Sequence, residues 1–400
     1  MILKETLRSI VKSQMDELLQ LDQGIERDKL AEIEMNKAFA TVISGVRRCG
    51  KSTMLRQLMK RVKGHYFNFE DPRAIDFEAN DFQKLDEVFK GEYGNRDYYF
   101  FDEIQNTQKW ELFTRALLDK NKYVTITGSN ASLLSRDLGT RLTGRHITYE
   151  LFPFSFKEFL KLRNRKRDKS SFQEYFANGG FPEYLKVGKA EILHELLNDI
   201  LARDIAVRHN IRSTKTLREM ALYLIANVGK EFSYNSLKRT FSLGSTNTAI
   251  DFVSYFEDSY LLFTVPKFDY SLKKQLINPK KIYSIDNGLS YVNSTSFSED
   301  RGKMLENMVF LNLRKNSKEI FYFKGKNECD FLIKEGTKIK QVLQACYELS
   351  EDNKNREISG LIEALEKFNL RQGLIITLNQ DDEFEVKGRK IIVKPVWKWL

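Results

Sequence analysis

A chain of 400 residues, 42% of them apolar, has material for two or three hydrophobic cores, and its net charge of +10 suits an anionic partner such as nucleic acid without establishing one. The 3 cysteines (Cys49, Cys329, Cys346) form no C-x-x-C pair, and the 4 histidines (His65, His146, His194, His209) have no metal-ligand spacing. That argues against a disulfide scaffold or a histidine metal centre, and no apolar run approaches the ~20 residues of a membrane span. The expected setting is therefore the reducing cytoplasm.

In chain order, the first element is an amphipathic helix carrying Leu3, Leu7, Ile10, Val11 and Leu18 among charges, unlike a signal peptide. An apolar β-branched run (Phe39, Thr41, Val42, Ile43) then leads into Gly45-Val46-Arg47-Arg48-Cys49-Gly50-Lys51-Ser52, a complete G-x-x-x-x-G-K-S followed by Thr53 and a helical pattern (Met54, Leu55, Leu58, Met59). Strand, glycine loop and helix in this order define a phosphate-binding loop. The glycines let backbone N–H groups turn toward phosphates, and the next helix offers its positive end to the anion. Gly45 to Thr53 are thus expected to hold a nucleoside triphosphate, with Lys51 reaching its β- and γ-phosphates and Ser52 on Mg²⁺.

Tyr98-Tyr99-Phe100-Phe101-Asp102-Glu103 reads as a parallel strand buried on both faces and ending in two carboxylates. Asp102 would hold Mg²⁺ through water beside Ser52, and Glu103 would act as general base on the attacking water. A strand over 123–127 ends in Gly128-Ser129-Asn130, where Asn130 or Ser129 either orients that water or caps the next helix. Asn68, in the strand His65–Asp71, either restrains Glu103 or serves as a strand-end turn residue.

The set Gly-Val-Arg-Arg-Cys-Gly-Lys-Ser-Thr, Phe-Asp-Glu-Ile-Gln (101–105) and Thr-Gly-Ser-Asn-Ala-Ser-Leu-Leu (127–134) resembles the bacterial and archaeal AAA+-type ATPases related to the STAND class. So do Leu-Thr-Gly-Arg (142–145), Leu-Phe-Pro-Phe-Ser-Phe-Lys-Glu-Phe (151–159) and Gly-Gly-Phe-Pro-Glu-Tyr (179–184), so that the resemblance covers nearly the whole chain. It implies an ATP-hydrolysing, Mg²⁺-dependent enzyme, and no guanine-reading N-K-x-D is visible. It also implies that one of Arg136, Arg141 and Arg145 reaches a γ-phosphate, within the chain or from a neighbouring subunit of a homo-oligomer; the other reading is a solvated surface. Glu103, Asn130 and Arg145 are the catalytic candidates.

Residues 157–169 hold 7 bases against 2 acids, a pattern of solvated helix ends more than of nucleic-acid contact. A helix over 191–208 reads as lid or linker. Three helical patterns follow: one from Leu217 to Ile225, one capped by Ser233, and one opened by Ser245-Thr246-Asn247-Thr248. A strand pair (262–265 and 281–285) then brackets a basic turn containing Lys267, Lys273 and Lys274. Three helices and a basic wing predict a winged helix-turn-helix, a module that serves DNA or protein partners.

The last hundred residues resemble a restriction-endonuclease-like α/β domain. Asp330 matches the metal-binding acid and Glu306 the helix acid, but Gln344 stands where the second acid belongs and Cys346 where the lysine belongs. That departure predicts a retained scaffold with lost nuclease chemistry. The expected organisation is an N-terminal helical segment (1–35), an α/β P-loop core with a parallel sheet (36–150), a helical lid (151–215), the winged helix (216–295) and the nuclease-like α/β domain (296–400). The expected function is an ATPase coupling nucleotide state to binding or remodelling of branched or forked DNA. The alternative is a switch acting on a protein partner without DNA.

Overall fold

The computed structural model describes residues 1–129, 142, 144–294, 300–317 and 319–400. They fall into two compact units, Met1–Phe152 and Pro153–Leu400.

In the first unit, helix α1 (Lys4–Gln20) precedes strand β1 (Ala40–Ser44), the glycine loop and helix α2 (Lys51–Met59). Strand β2 (Gly64–Asn68), helix α3 (Asp81–Tyr93), strand β3 (Tyr98–Asp102), helix α4 (Trp110–Asp119) and strands β4 (Tyr123–Gly128) and β5 (His146–Glu150) complete it. All five strands are parallel, in the order β2-β3-β4-β1-β5. Hence β4 separates the glycine-loop strand from the acidic strand. The aromatic run of β3 is explained by its place inside the sheet, where Tyr99, Phe100 and Phe101 are buried. Phe101 packs with Phe69 and Phe113 in a cluster that also contains Phe67, Phe77 and Phe82.

Sequence patterning set the first 35 residues apart from the ATPase core. Instead, Leu7, Ile10 and Val11 of α1 are buried in the same core as Phe82, Leu85 and Phe89 of α3. The apolar stripe of α1 needed a partner, and α3 supplies it.

The second unit begins with helices α5 (Phe156–Arg163), α6 (Lys169–Asn178), α7 (Pro182–Val187) and α8 (Glu191–Asp199). A capping box fixes the start of α5, with Ser155 and Glu158 each accepting the other's backbone N–H. The basic run beyond it is partly neutralised, because Arg163 and Arg165 lie 3.3 and 3.8 Å from Glu174.

Helices α9 (Thr214–Ala226), α10 (Tyr234–Thr240) and α11 (Thr246–Asp258) alternate with a small antiparallel sheet. Its strands β6 (Glu231–Phe232), β7 (Leu262–Pro266) and β8 (Lys280–Ser284) lie in the order β6-β8-β7. The expected strand pair has thus gained a third, two-residue strand, and the basic turn contains a helix, α12 (Leu272–Ile277).

Helices α13 (Asn287–Asn293) and α14 (Arg301–Asn316) lead to a six-stranded mixed sheet ordered β13-β14-β12-β11-β10-β9. Its strands are β9 (Ile320–Lys324), β10 (Glu328–Glu335), β11 (Lys338–Ala345), β12 (Gln372–Thr377), β13 (Asp382–Val386) and β14 (Arg389–Pro395). Helix α15 (Glu351–Lys367) packs on it through Gly360, where a Cβ would come within 1.8 Å of the Glu328 carbonyl oxygen. Only glycine permits that approach.

Candidate functional site

The glycine loop leaves β1 at its C-terminal end. Gly45 has no room for a side chain, since a Cβ would lie 2.1 Å from the Leu151 carbonyl oxygen. Gly50 sits at φ 102°, in the region that favours glycine, and opens α2. Lys51 is buried at the start of α2, and its Nζ donates to the Gly45 and Val46 carbonyls, both at 3.2 Å. The loop therefore curls around its own lysine, a cradle whose shape and charge fit a polyphosphate.

The acidic end of β3 faces this cradle. Asp102 is buried and hydrogen-bonds the Ser52 and Thr127 hydroxyls, while the Tyr66 hydroxyl donates to its Oδ2 at 3.3 Å. Burial, and then the Glu103 carboxylate, push the Asp102 pKa up. Glu103 lies 3.5 Å from Lys51 Nζ, in left-handed backbone at φ 49°. Burial works against its ionisation, but Lys51 and the Gln105 amide outweigh that and hold its carboxyl below the usual range. Serine, lysine and both carboxylates thus converge, as an Mg²⁺–nucleotide site needs.

Gln105 was not anticipated as a contact. Its Nε2 donates to Glu103 Oε2 at 2.5 Å and approaches Ser129 Oγ at 3.5 Å. It stands two residues past Glu103 in the quoted Phe-Asp-Glu-Ile-Gln, which was the available signal. Asn68 takes the turn role, its Oδ1 accepting from the Glu70 N–H at 2.9 Å. Asn130, Arg136 and Arg141 lie outside the described residues. Arg145 is not brought to the loop. It precedes β5 at the opposite end of the sheet, with Nη1 2.5 Å from Asp119 and Nε donating to the Ala38 carbonyl. A five-residue strand separates it from the loop, roughly 16 Å. A finger role for Arg145 inside its own chain is therefore ruled out by placement.

A second constellation lies in the other unit. Glu306 of α14, Asp330 of β10 and Gln344 of β11 come together, and β8 adds Lys281, which sequence spacing did not flag. The buried Lys281 Nζ lies 3.0 Å from Glu306, 2.7 Å from Glu328 and 2.8 Å from Asp330. Tyr283 and Lys303 also donate to Glu306, each at 2.7 Å, and the Ala345 N–H donates to Asp330 at 3.0 Å. Gln344 accepts from the Asp330 N–H and donates to Glu357. Burial and Glu306 push Asp330 up to about 6, and Lys281 counters only part of that. Among the described residues no group of three His, Cys, Asp or Glu is arranged to hold a metal ion. An open cleft of about 870 Å³ borders the network, with Lys303, Gln344, Cys346 and Glu357 in its wall.

Residues 37–160 match the AAA domain family, and residues 169–299 match a domain of unknown function (DUF8612). The first unit is thus an AAA-type P-loop ATPase domain, which uses ATP with Mg²⁺. An uncharacterized protein of Methanocaldococcus jannaschii, MJ1544, is 38% identical over 415 residues, spanning 94% of this chain and 90% of the relative. A Haemophilus influenzae protein, also uncharacterized, is 29% identical over 382 residues, covering 90% of this chain and 94% of its own. Among solved structures, the Walker-type ATPase PABY2304 of Pyrococcus abyssi has a TM-score of 0.41 at 14% identity, covering 72% of this chain and 94% of that one. The chain belongs to the family of the M. jannaschii protein MJ1544.

Proposed function

We propose that this ATPase couples its nucleotide state to engagement of DNA through the second unit. In this reading Gly45 to Thr53 hold the triphosphate, and Ser52 and Asp102 would hold Mg²⁺, which would supply neutralisation of phosphate charge. Glu103 withdraws the proton of the attacking water, and Gln105 restrains Glu103 until then. Helices α9 to α11 with strands β6 to β8 have the element order of a winged helix. The observation that carries the DNA reading is the wing, where Lys273 and Lys274 are exposed on α12, with Arg239 exposed on α10. The outward residues of α11 are Asn247, Ile250, Asp251 and Ser254, with no base among them. That composition favours phosphate contacts over base reading, hence recognition of DNA structure more than sequence. The nuclease-like sheet then serves as scaffold, its carboxylates engaged by Lys281.

A second reading has its own support. Tyr270, Leu272, Leu276 and Ile277 on and beside α12 are 79, 75, 72 and 70% exposed, an apolar set that suits a protein partner or a further copy. ATP hydrolysis with and without forked DNA, together with a band-shift titration across salt concentrations, separates the two. DNA stimulation and affinity falling steeply with salt support the first reading. Neither effect, with wild-type ATP turnover intact, leaves the protein-partner switch.

A further inference from the structure

Arg27 lies in the segment between α1 and β1, outside every motif described above. It is 3% exposed. Its Nη1 donates to the Cys49 carbonyl at 2.6 Å and its Nη2 to the Phe152 carbonyl at 2.7 Å. Cys49 is the loop residue before Gly50, and a Cβ on Gly50 would lie 3.0 Å from Arg27 Nη1. The guanidinium is therefore packed directly behind the phosphate loop. Its own segment is fixed by the helix that the loop opens. Gln57 of α2 accepts from the Arg27 N–H at 3.3 Å and donates to the Gln23 and Ile25 carbonyls at 2.8 and 2.7 Å, while Arg56 donates to the Asp22 carbonyl at 3.4 Å.

A phosphate loop works because N–H groups point inward, and in a trans peptide whose N–H points inward the carbonyl points away from the anion. A carbonyl turned into the protein needs a donor there. The planar, permanently charged guanidinium can serve two carbonyls at once, which an ammonium does less well. We propose that Arg27 is a positioning residue for ATP binding, holding the Cys49 carbonyl outward so that the following peptide keeps its N–H toward the phosphates. Without that donor the Cys49–Gly50 peptide is free to flip, and a carbonyl oxygen then faces the triphosphate. This inference rests on the loop binding ATP.

The test uses the full chain and compares ATP affinity, turnover at saturating ATP and thermal midpoint for wild type, Arg27→Lys, Arg27→Met and Lys51→Ala. The Met variant should raise the Kd for ATP about tenfold, a tenth of the wild-type binding constant. Turnover at saturation should stay within about twofold, because the group acts on binding and not on water activation. The Lys variant should fall between. Binding by wild type and its loss in Lys51→Ala establish the ATP reading independently. An unchanged Kd in Arg27→Lys or Arg27→Met overturns the proposal. So does turnover at saturation falling as far as affinity. If Arg27→Met does not fold, Arg27→Lys alone decides, and a wild-type Kd in it rejects the assignment.

Discussion

Lys51 and Glu103 sit 3.5 Å apart, yet their substitutions should fail in different ways. Lys51→Ala removes the charge that faces the β- and γ-phosphates, so tight ATP binding should be lost in a fluorescence titration with labelled ATP. Glu103→Gln keeps the shape and its hydrogen-bonding reach but removes the base. ATP should still bind, while turnover falls about 10²-fold or more. Unchanged turnover in Glu103→Gln would remove that carboxylate from the mechanism. His65 makes a separate residue-scale case. It is enclosed between Phe89 and Tyr99, and neither ring nitrogen has a hydrogen-bond partner. Burial lowers its pKa to about 4 from the usual 6.5. Below pH 6.5 the unfolded chain takes the proton first, so this contribution is full above pH 6.5 and declines as pH falls toward 4. The loss is on the order of 3 kcal/mol. Urea denaturation of His65→Phe should therefore show a smaller drop in stability from pH 7 to pH 5 than wild type. Parallel pH profiles would contradict it.

Elements differed in how far their own residues specified them. The strand–loop–helix of the phosphate site was legible because period, glycines and lysine all agree locally. The β7–β8 hairpin was legible as strands but not as bearing a helix between them. Leu272, Leu276 and Ile277 look like core residues, yet all three are exposed on α12. Lys273→Glu with Lys274→Glu should weaken forked-DNA binding and reduce its salt dependence, with basal ATP hydrolysis unchanged. Equal affinity in a band-shift assay would move attention to residues 157–169, or away from DNA. In the same element, Tyr270→Ser with Leu272→Ser should leave a DNA contact weakened less than the charge reversal does. The opposite ranking would favour a protein-binding wing.

At the scale of the molecule, the second unit keeps the layout of an acid cluster on a mixed sheet while its charges are already neutralised from within. Lys281 meets three carboxylates, Lys303 and Tyr283 hold Glu306, and Gln344 bridges Asp330 to Glu357. No cutting of duplex, single-stranded or branched DNA is therefore expected with Mg²⁺ or Mn²⁺, and cleavage abolished in Asp330→Ala would disprove this. The network should instead matter for folding. Removing Lys281 alone leaves buried carboxylates uncompensated, a loss of about 3–5 kcal/mol in denaturant unfolding. Lys281→Met with Glu306→Gln and Asp330→Asn together should recover much of it, because the uncompensated charge goes with its partners.

By itself the sequence determined the phosphate loop and the acidic strand end, since each rests on residues adjacent in the chain. Glycine conformations, β-branched runs and carboxylates after a buried strand are local physics. Tertiary structure alone decided what faces what. Lys281 reaches Glu306 and Asp330 across 25 and 49 residues, and Arg27 reaches Phe152 across 125. Arg145, read as near the phosphates from its motif, is carried to the far end of the sheet by the parallel register of β5 with β1. Such pairings follow from strand order and packing between distant segments, and neither leaves a periodic mark in the chain.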